Sequence, residues 1–310
     1  MSSVSVAHRR FALELSPVAF RRVARVAVGM LVLIVASGAT VRLTGSGLGC
    51  PSVTVDLSAC VKAYGARGYH ADIEFMNRVA SGITVLVALA LAAAAWRTAG
   101  LGRGTKLLAT GAFLATFAQA PLGAITVHYH LNPYLVISHL LLALLALGVG
   151  VLVLLEASRF VAGGGNALPA LARLGGAALL ASVVVLVVSG TVSTAAGRFP
   201  GSSGSTVVSR LWNFHSAVYW HVRAVAVFCV VLLVLAAWAW QRRDRFPWLL
   251  RGCFGLLALV LVQMAIGELQ YRTYGTVPWP VIVIHVTLAA ALFASAVGLV
   301  ARLWRPVGAH

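Results

Sequence analysis

Charge is scarce in this sequence. Asp, Glu, Lys and Arg together make up 10% of its 310 residues, and only seven of them are acidic. Sixty per cent of the residues are hydrophobic, and the mean hydropathy is +0.93. A soluble domain is excluded, because it would leave large apolar surface in water. Cysteine is also sparse, with four in the chain. Cys229 and Cys253 fall in apolar stretches and read as small core residues. Cys50 and Cys60 share one polar loop. No small-residue cleavage site follows the first apolar run, which excludes a cleaved signal peptide and leaves a retained first helix.

What the sequence has is apolar runs of about 20 residues, each enough to cross a ~30 Å hydrocarbon core. Eight are expected, and each must be helical, since lipid offers no partner to backbone polar groups. They run from about Val26 to Val41, Asn77 to Trp96, Leu107 to Val127 and Tyr134 to Leu155. The second four run from Leu174 to Val192, Trp212 to Trp240, Leu249 to Leu269 and Val281 to Leu303. The net charge of +17 does not indicate nucleic acid. The basic residues sit in short clusters between apolar runs, as in the anchoring loops of a membrane protein. Sixteen of the 24 Lys and Arg fall at the N-terminus, at the C-terminus and after the second, fourth and sixth spans. Both termini are therefore expected to be cytoplasmic, in a bacterial plasma membrane. The other eight, among them Arg42, Arg78, Arg198 and Arg210, lie toward the outer face. There they can snorkel to the interface or meet anionic groups such as propionates and lipid headgroups.

The same four-helix unit occurs twice. Gln119-Ala120-Pro121-Leu122-Gly123 returns 144 residues later as Gln263-Met264-Ala265-Ile266-Gly267. Each is followed by a proline-containing turn and a histidine, His139 and His285. The same offset carries Asn77 onto His221, while Ser37-Gly38 resembles Ser189-Gly190. The expected fold is all-α and integral to the membrane, with two similar four-helix bundles as a parallel repeat. Residues 1–165 form one half and 166–310 the other.

An intramembrane histidine is a functional candidate by default. His221 and His285 suit axial ligation of a heme iron within a four-helix unit. Zinc fits less well, because it wants three or four ligands and no carboxylate or cysteine accompanies the pair. His215 competes with His221 for the same role. In the first half His139 is partnered by Asn77, a poor iron ligand, so that half is built for a looser porphyrin or an open coordination position. His70, His128 and His130 read as solvent-facing. Glu74 lies three residues before Asn77, on the same helix face. It can accept protons beside a porphyrin edge or serve as a helix cap. Cys50 and Cys60 face an oxidising compartment, where they form a structural staple or a redox-active pair.

Together the segments Gly38–Pro51, Ile73–Arg78, "QAPLGAITV" with "NPYLVISHLLLAL", and "QMAIGELQY" with "PVIVIHVTLAA" resemble the heme A synthase family. The resemblance implies a heme b held by His221 and His285 in the second half. It implies heme O as substrate in the first half, where the C8 methyl becomes a formyl group by successive hydroxylations, with Glu74 the catalytic carboxylate. Cys50 and Cys60 match the family's loop cysteines. His-Arg is frequent in the family where this chain has Asn77-Arg78, which leaves His139 as the only protein ligand for heme O in that half, or heme O bound with water opposite. Expected partners are heme O and heme A, membrane lipid, a heme O synthase and an electron acceptor that the sequence does not identify. The competing readings are a cytochrome b-like electron carrier, which would want complete histidine pairs, and a transporter, which would want charges near the midplane.

Overall fold

The computed structural model describes residues 14–50, 68–202 and 209–308. Among them are eight helices long and apolar enough to cross a membrane. They are α1 (Pro17–Leu43), α2 (Tyr69–Arg97), α3 (Arg103–His128), α4 (Pro133–Ala162), α5 (Ala170–Ala196), α6 (Phe214–Trp240), α7 (Pro247–Arg272) and α8 (Trp279–Trp304). No strand occurs among the described residues, only two isolated bridges.

Several helices begin well before the apolar runs that signal them. In α1 the Ser16 side chain accepts from the Ala19 N–H at 3.2 Å, and Pro17 takes the first helical position. This start puts Arg21, Arg22 and Arg25 on the helix, where long basic side chains can reach past the hydrocarbon. α2 starts at Tyr69 rather than near Asn77. Hydropathy windows cut off its first two turns because they are polar, yet two of those polar groups, His70 and Glu74, find partners in the protein. Glu74 is therefore within the helix and not its cap. His70 is also on α2, half-buried, with Nδ1 3.0 Å from the Ser46 hydroxyl, and so is not the solvent-facing loop residue expected.

α3 is broken. Its regular segments are Arg103–Phe117 and Gln119–His128, and Ala118 lies between them. The cause is Pro121, which offers no N–H to the Phe117 carbonyl and crowds it with its ring. In α7 the residue 144 positions on is Ala265, and that helix runs unbroken from Pro247 to Arg272.

Packing follows chain order. α1, α2, α3 and α4 each touch the next, and α4 closes on α1; α5, α6, α7 and α8 make the same circuit. The two sets meet where α8 packs on α1 and α4, and where α4 packs on α5. Between membrane helices the drive is close contact rather than water exclusion, so small residues let backbones approach. Gly148 faces Phe293, Gly298 faces Val151 and Gly150 faces Leu31. The shared core includes Leu31, Leu147, Leu179, Phe228, Leu256 and Phe293. Large side chains such as Leu33, Leu86, Val185 and Val234 remain exposed, as lipid-facing residues should.

The helices define two ends. At the basic end, buried Glu156 pairs with Arg159 at 3.3 Å and Arg305 at 3.0 Å. A cleft of about 590 Å³ opens there between α4, α7 and α8, lined by Val151, Leu155, Trp248, Gly255, Leu259 and Arg302. It is remote from the histidines of the opposite end, where loops join the two sets. The Gly47 N–H donates to the Gly201 carbonyl at 2.8 Å, and Ser46 bridges to Ser202. The Arg42 guanidinium donates to the Thr194 carbonyl.

Gly49 is the tightest point of that loop. A methyl group at Gly49 would lie 2.4 Å from the His70 carbonyl oxygen, a backbone atom that cannot rotate away. Gly49→Ala is expected to destabilise the protein by about 1–3 kcal/mol, read as a lower melting temperature in detergent. Gly29→Ala, which meets open space, should leave the melt unchanged.

Candidate functional site

The histidine end carries two constellations built to one plan. In the first half, Ser37 on α1 donates to Asn77 Oδ1 on α2 at 2.9 Å. In the second, Ser189 on α5 lies 3.0 Å from His221 Nδ1 on α6. Gln119 on α3 donates to the His139 carbonyl at 3.2 Å, and Gln263 on α7 donates to the His285 carbonyl at 2.8 Å. An amide buried among apolar helices needs such a partner. Glycines keep the ring positions open. A methyl group on Gly123 would lie 3.4 Å from His139 Cε1, one on Gly267 3.4 Å from His285 Cε1, and one on Gly190 3.1 Å from His221 Cε1. One on Gly38, beside the shorter Asn77, would meet nothing within 4 Å.

His221 lies on α6 and His285 on α8, each within the first third of its helix. Both are half-buried. His215 is exposed at the start of α6, with Nδ1 3.4 Å from the Tyr271 hydroxyl. His128 and His130 are exposed at the end of α3, as expected. The donor set suits an iron porphyrin. Neither the His139 nor the His285 ring makes a hydrogen bond among the described residues, so no protein partner holds either imidazole away from a group bound between the helices. Also among the described residues, no three His, Cys, Asp or Glu side chains converge as a smaller metal site would require.

Glu74 distinguishes the first half. It is 4% exposed. Its Oε2 accepts from the Cys50 N–H at 2.7 Å, and its Oε1 accepts from Arg78 at 2.8 Å. The carboxylate thus holds the loop after α1 against α2, one helical turn from Asn77. The residues 144 positions on from Glu74 and Arg78 are Val218 and Val222, so the second half has no counterpart. Glu268, in contrast, makes an exposed pair with Arg272 at 2.6 Å. Cys50 is buried, with its sulfur 3.9 Å from the Ala71 carbonyl. Cys60 lies outside the described residues, and so do Lys62 and Arg67.

The arginines of the histidine end act mainly on backbone. Arg198 donates to the Tyr274 and Gly275 carbonyls, and Arg210 to those of Gly197 and Phe199. Burial in these loops pushes the Arg210 guanidinium below its usual range, an effect that the Tyr274 hydroxyl opposes. Sequence reasoning did not find this role, nor the serine behind Asn77 and His221. The signal for the serines was present in the Ser-Gly pairs shared by α1 and α5.

A comparison with curated proteins gave no match. The family model that does match, described as cytochrome oxidase assembly protein, covers residues 68–297, a span that includes Glu74, Asn77, His139, His221 and His285. With that match and eight membrane-length helices, the chain is a multi-pass membrane member of the COX15-CtaA family of cytochrome oxidase assembly proteins, the heme A synthase family.

Proposed function

We propose that this protein converts heme O to heme A, oxidising the C8 methyl group to a formyl group in its N-terminal half. The observation that carries this reading is the asymmetry between two otherwise matched constellations. One has a histidine pair and no carboxylate; the other has His139, Asn77 and a buried Glu74 braced by Arg78. An electron carrier has no use for that difference, whereas a carrier paired with a reaction site does.

His221 and His285 would hold a heme b, which supplies one-electron redox chemistry within the membrane. His139 would hold the substrate heme. The methyl-to-formyl conversion takes up one water and releases four protons and four electrons, so it needs an external electron acceptor, reached through the one-electron chemistry that a heme b would supply, and a proton acceptor at the site. Glu74 fills that role from a fixed position, since its two donors leave the carboxylate little freedom to turn. The loop from Leu43 to Cys50 lies over it and keeps bulk water from the reacting edge. A disulfide between Cys50 and Cys60 would pin the same loop. In this reading the halves are parallel repeats, both termini are cytoplasmic and both sites open toward the outer face.

Two measurements test the proposal. After co-expression with a source of heme O, extraction and chromatography should recover heme B with newly made heme A. Glu74→Gln should lower heme A formation by at least about 100-fold while heme B is retained. Heme B without any heme A in the wild-type protein would replace the proposal with an electron carrier. Separately, His221→Ala or His285→Ala should abolish the low-spin spectrum of the resident heme, and His215→Ala should leave it intact. The reverse pattern would move the ligand to His215.

A further inference from the structure

The two halves place a serine at the same point of the plan, but its hydroxyl does opposite things. Ser189 Oγ donates to the Leu186 carbonyl at 2.9 Å, which commits its proton. Facing His221 Nδ1 at 3.0 Å, that oxygen can only accept. The proton is then on Nδ1, and Nε2 keeps its lone pair as a ligand should. Ser37 instead donates to Asn77 Oδ1 at 2.9 Å. With the amide oxygen turned toward the serine, the Nδ2 amino group is on the other side, where it can offer only N–H donors. The position that presents a lone pair in the second half thus presents protons in the first. The space beside it is also larger, since a methyl group on Gly38 meets nothing within 4 Å while one on Gly190 meets His221 at 3.1 Å.

We infer that the N-terminal half is a five-coordinate porphyrin seat. His139 is its single protein ligand, and Asn77, oriented by Ser37, donates a hydrogen bond to a small acceptor ligand bound on the opposite side of the iron. This inference rests on the proposed function, because it takes the first half as the place where substrate heme binds. Asn77 is then a specificity device as well as a vacancy. It keeps a second imidazole off the iron and favours ligands that accept a hydrogen bond, such as water or a small anion.

The test uses the full-length protein loaded with ferric heme and titrated with fluoride, a small anionic acceptor. The wild-type spectrum should contain a low-spin heme and a high-spin heme, with fluoride perturbing only the second. Asn77→Leu should keep the high-spin signal and weaken fluoride binding by about tenfold, the loss of one hydrogen bond to a charged acceptor. Ser37→Ala, which releases the amide, should weaken it less. Asn77→His should turn the second heme low-spin and abolish fluoride binding. The low-spin signal of the C-terminal half, retained in each variant, reports that the variant has folded.

Two low-spin hemes in the wild-type protein, or unchanged fluoride affinity in Asn77→Leu, would overturn the inference. If such a protein still made heme A, the functional reading would stand without it. Failure to bind any heme would overturn both.

Discussion

Lipid gives a polar side chain nothing to bond to, and the histidine end of this protein is arranged around that constraint. Much of what is polar in the bundle is met by another polar group: serine by asparagine or histidine, glutamine by the carbonyl behind a histidine, Glu74 by Arg78 and a loop N–H. The result extends beyond local satisfaction. Through Cys50, Glu74 holds the loop after α1; through Gly47 and Arg42, that loop and the end of α1 hold the second half. The carboxylate thus belongs to a run of contacts that links both sets of helices.

The matched plan makes the mismatches informative. Two four-helix circuits share serine, glutamine, glycine and histidine at corresponding points, so residues that differ stand out against a common background. Glu74, Asn77 and Arg78 face Val218, His221 and Val222 across the offset. In a single copy Asn77 would be one more polar residue in a helix. Beside its counterpart it becomes a histidine position without the histidine, and the open space near Gly38 shows that the neighbours have not closed in to replace it.

The eight spans were legible because hydropathy depends on composition over about 20 residues, and the offset of 144 was legible because it preserves short motifs. Helix starts were less so. Glu74 and His70 sit in turns too polar for a hydropathy window, and only the loop folded against them shows how a helix can carry them. The break in α3 was written plainly as Pro121, yet a proline in a membrane helix can be absorbed by its neighbours, so sequence alone does not say where the chain gives way. Arg42 read equally well as a snorkelling residue or an anion partner. Its use as a tie to Thr194 depends on a contact between halves that no local pattern encodes. Cys60 lies outside the described residues, and its relation to Cys50 stays at the level of the sequence.

The interruption of α3 separates the mechanics of the two sites. Gln119, which backs His139, belongs to a ten-residue segment that starts just past the break, whereas Gln263 stands in the middle of a 26-residue helix. Gln263 therefore backs His285 from within a long continuous helix, while Gln119 backs His139 from a short segment joined to the rest of α3 at Ala118. In the proposed function, the continuous helix would back the ligand of the resident heme and the interrupted one the ligand of the substrate heme.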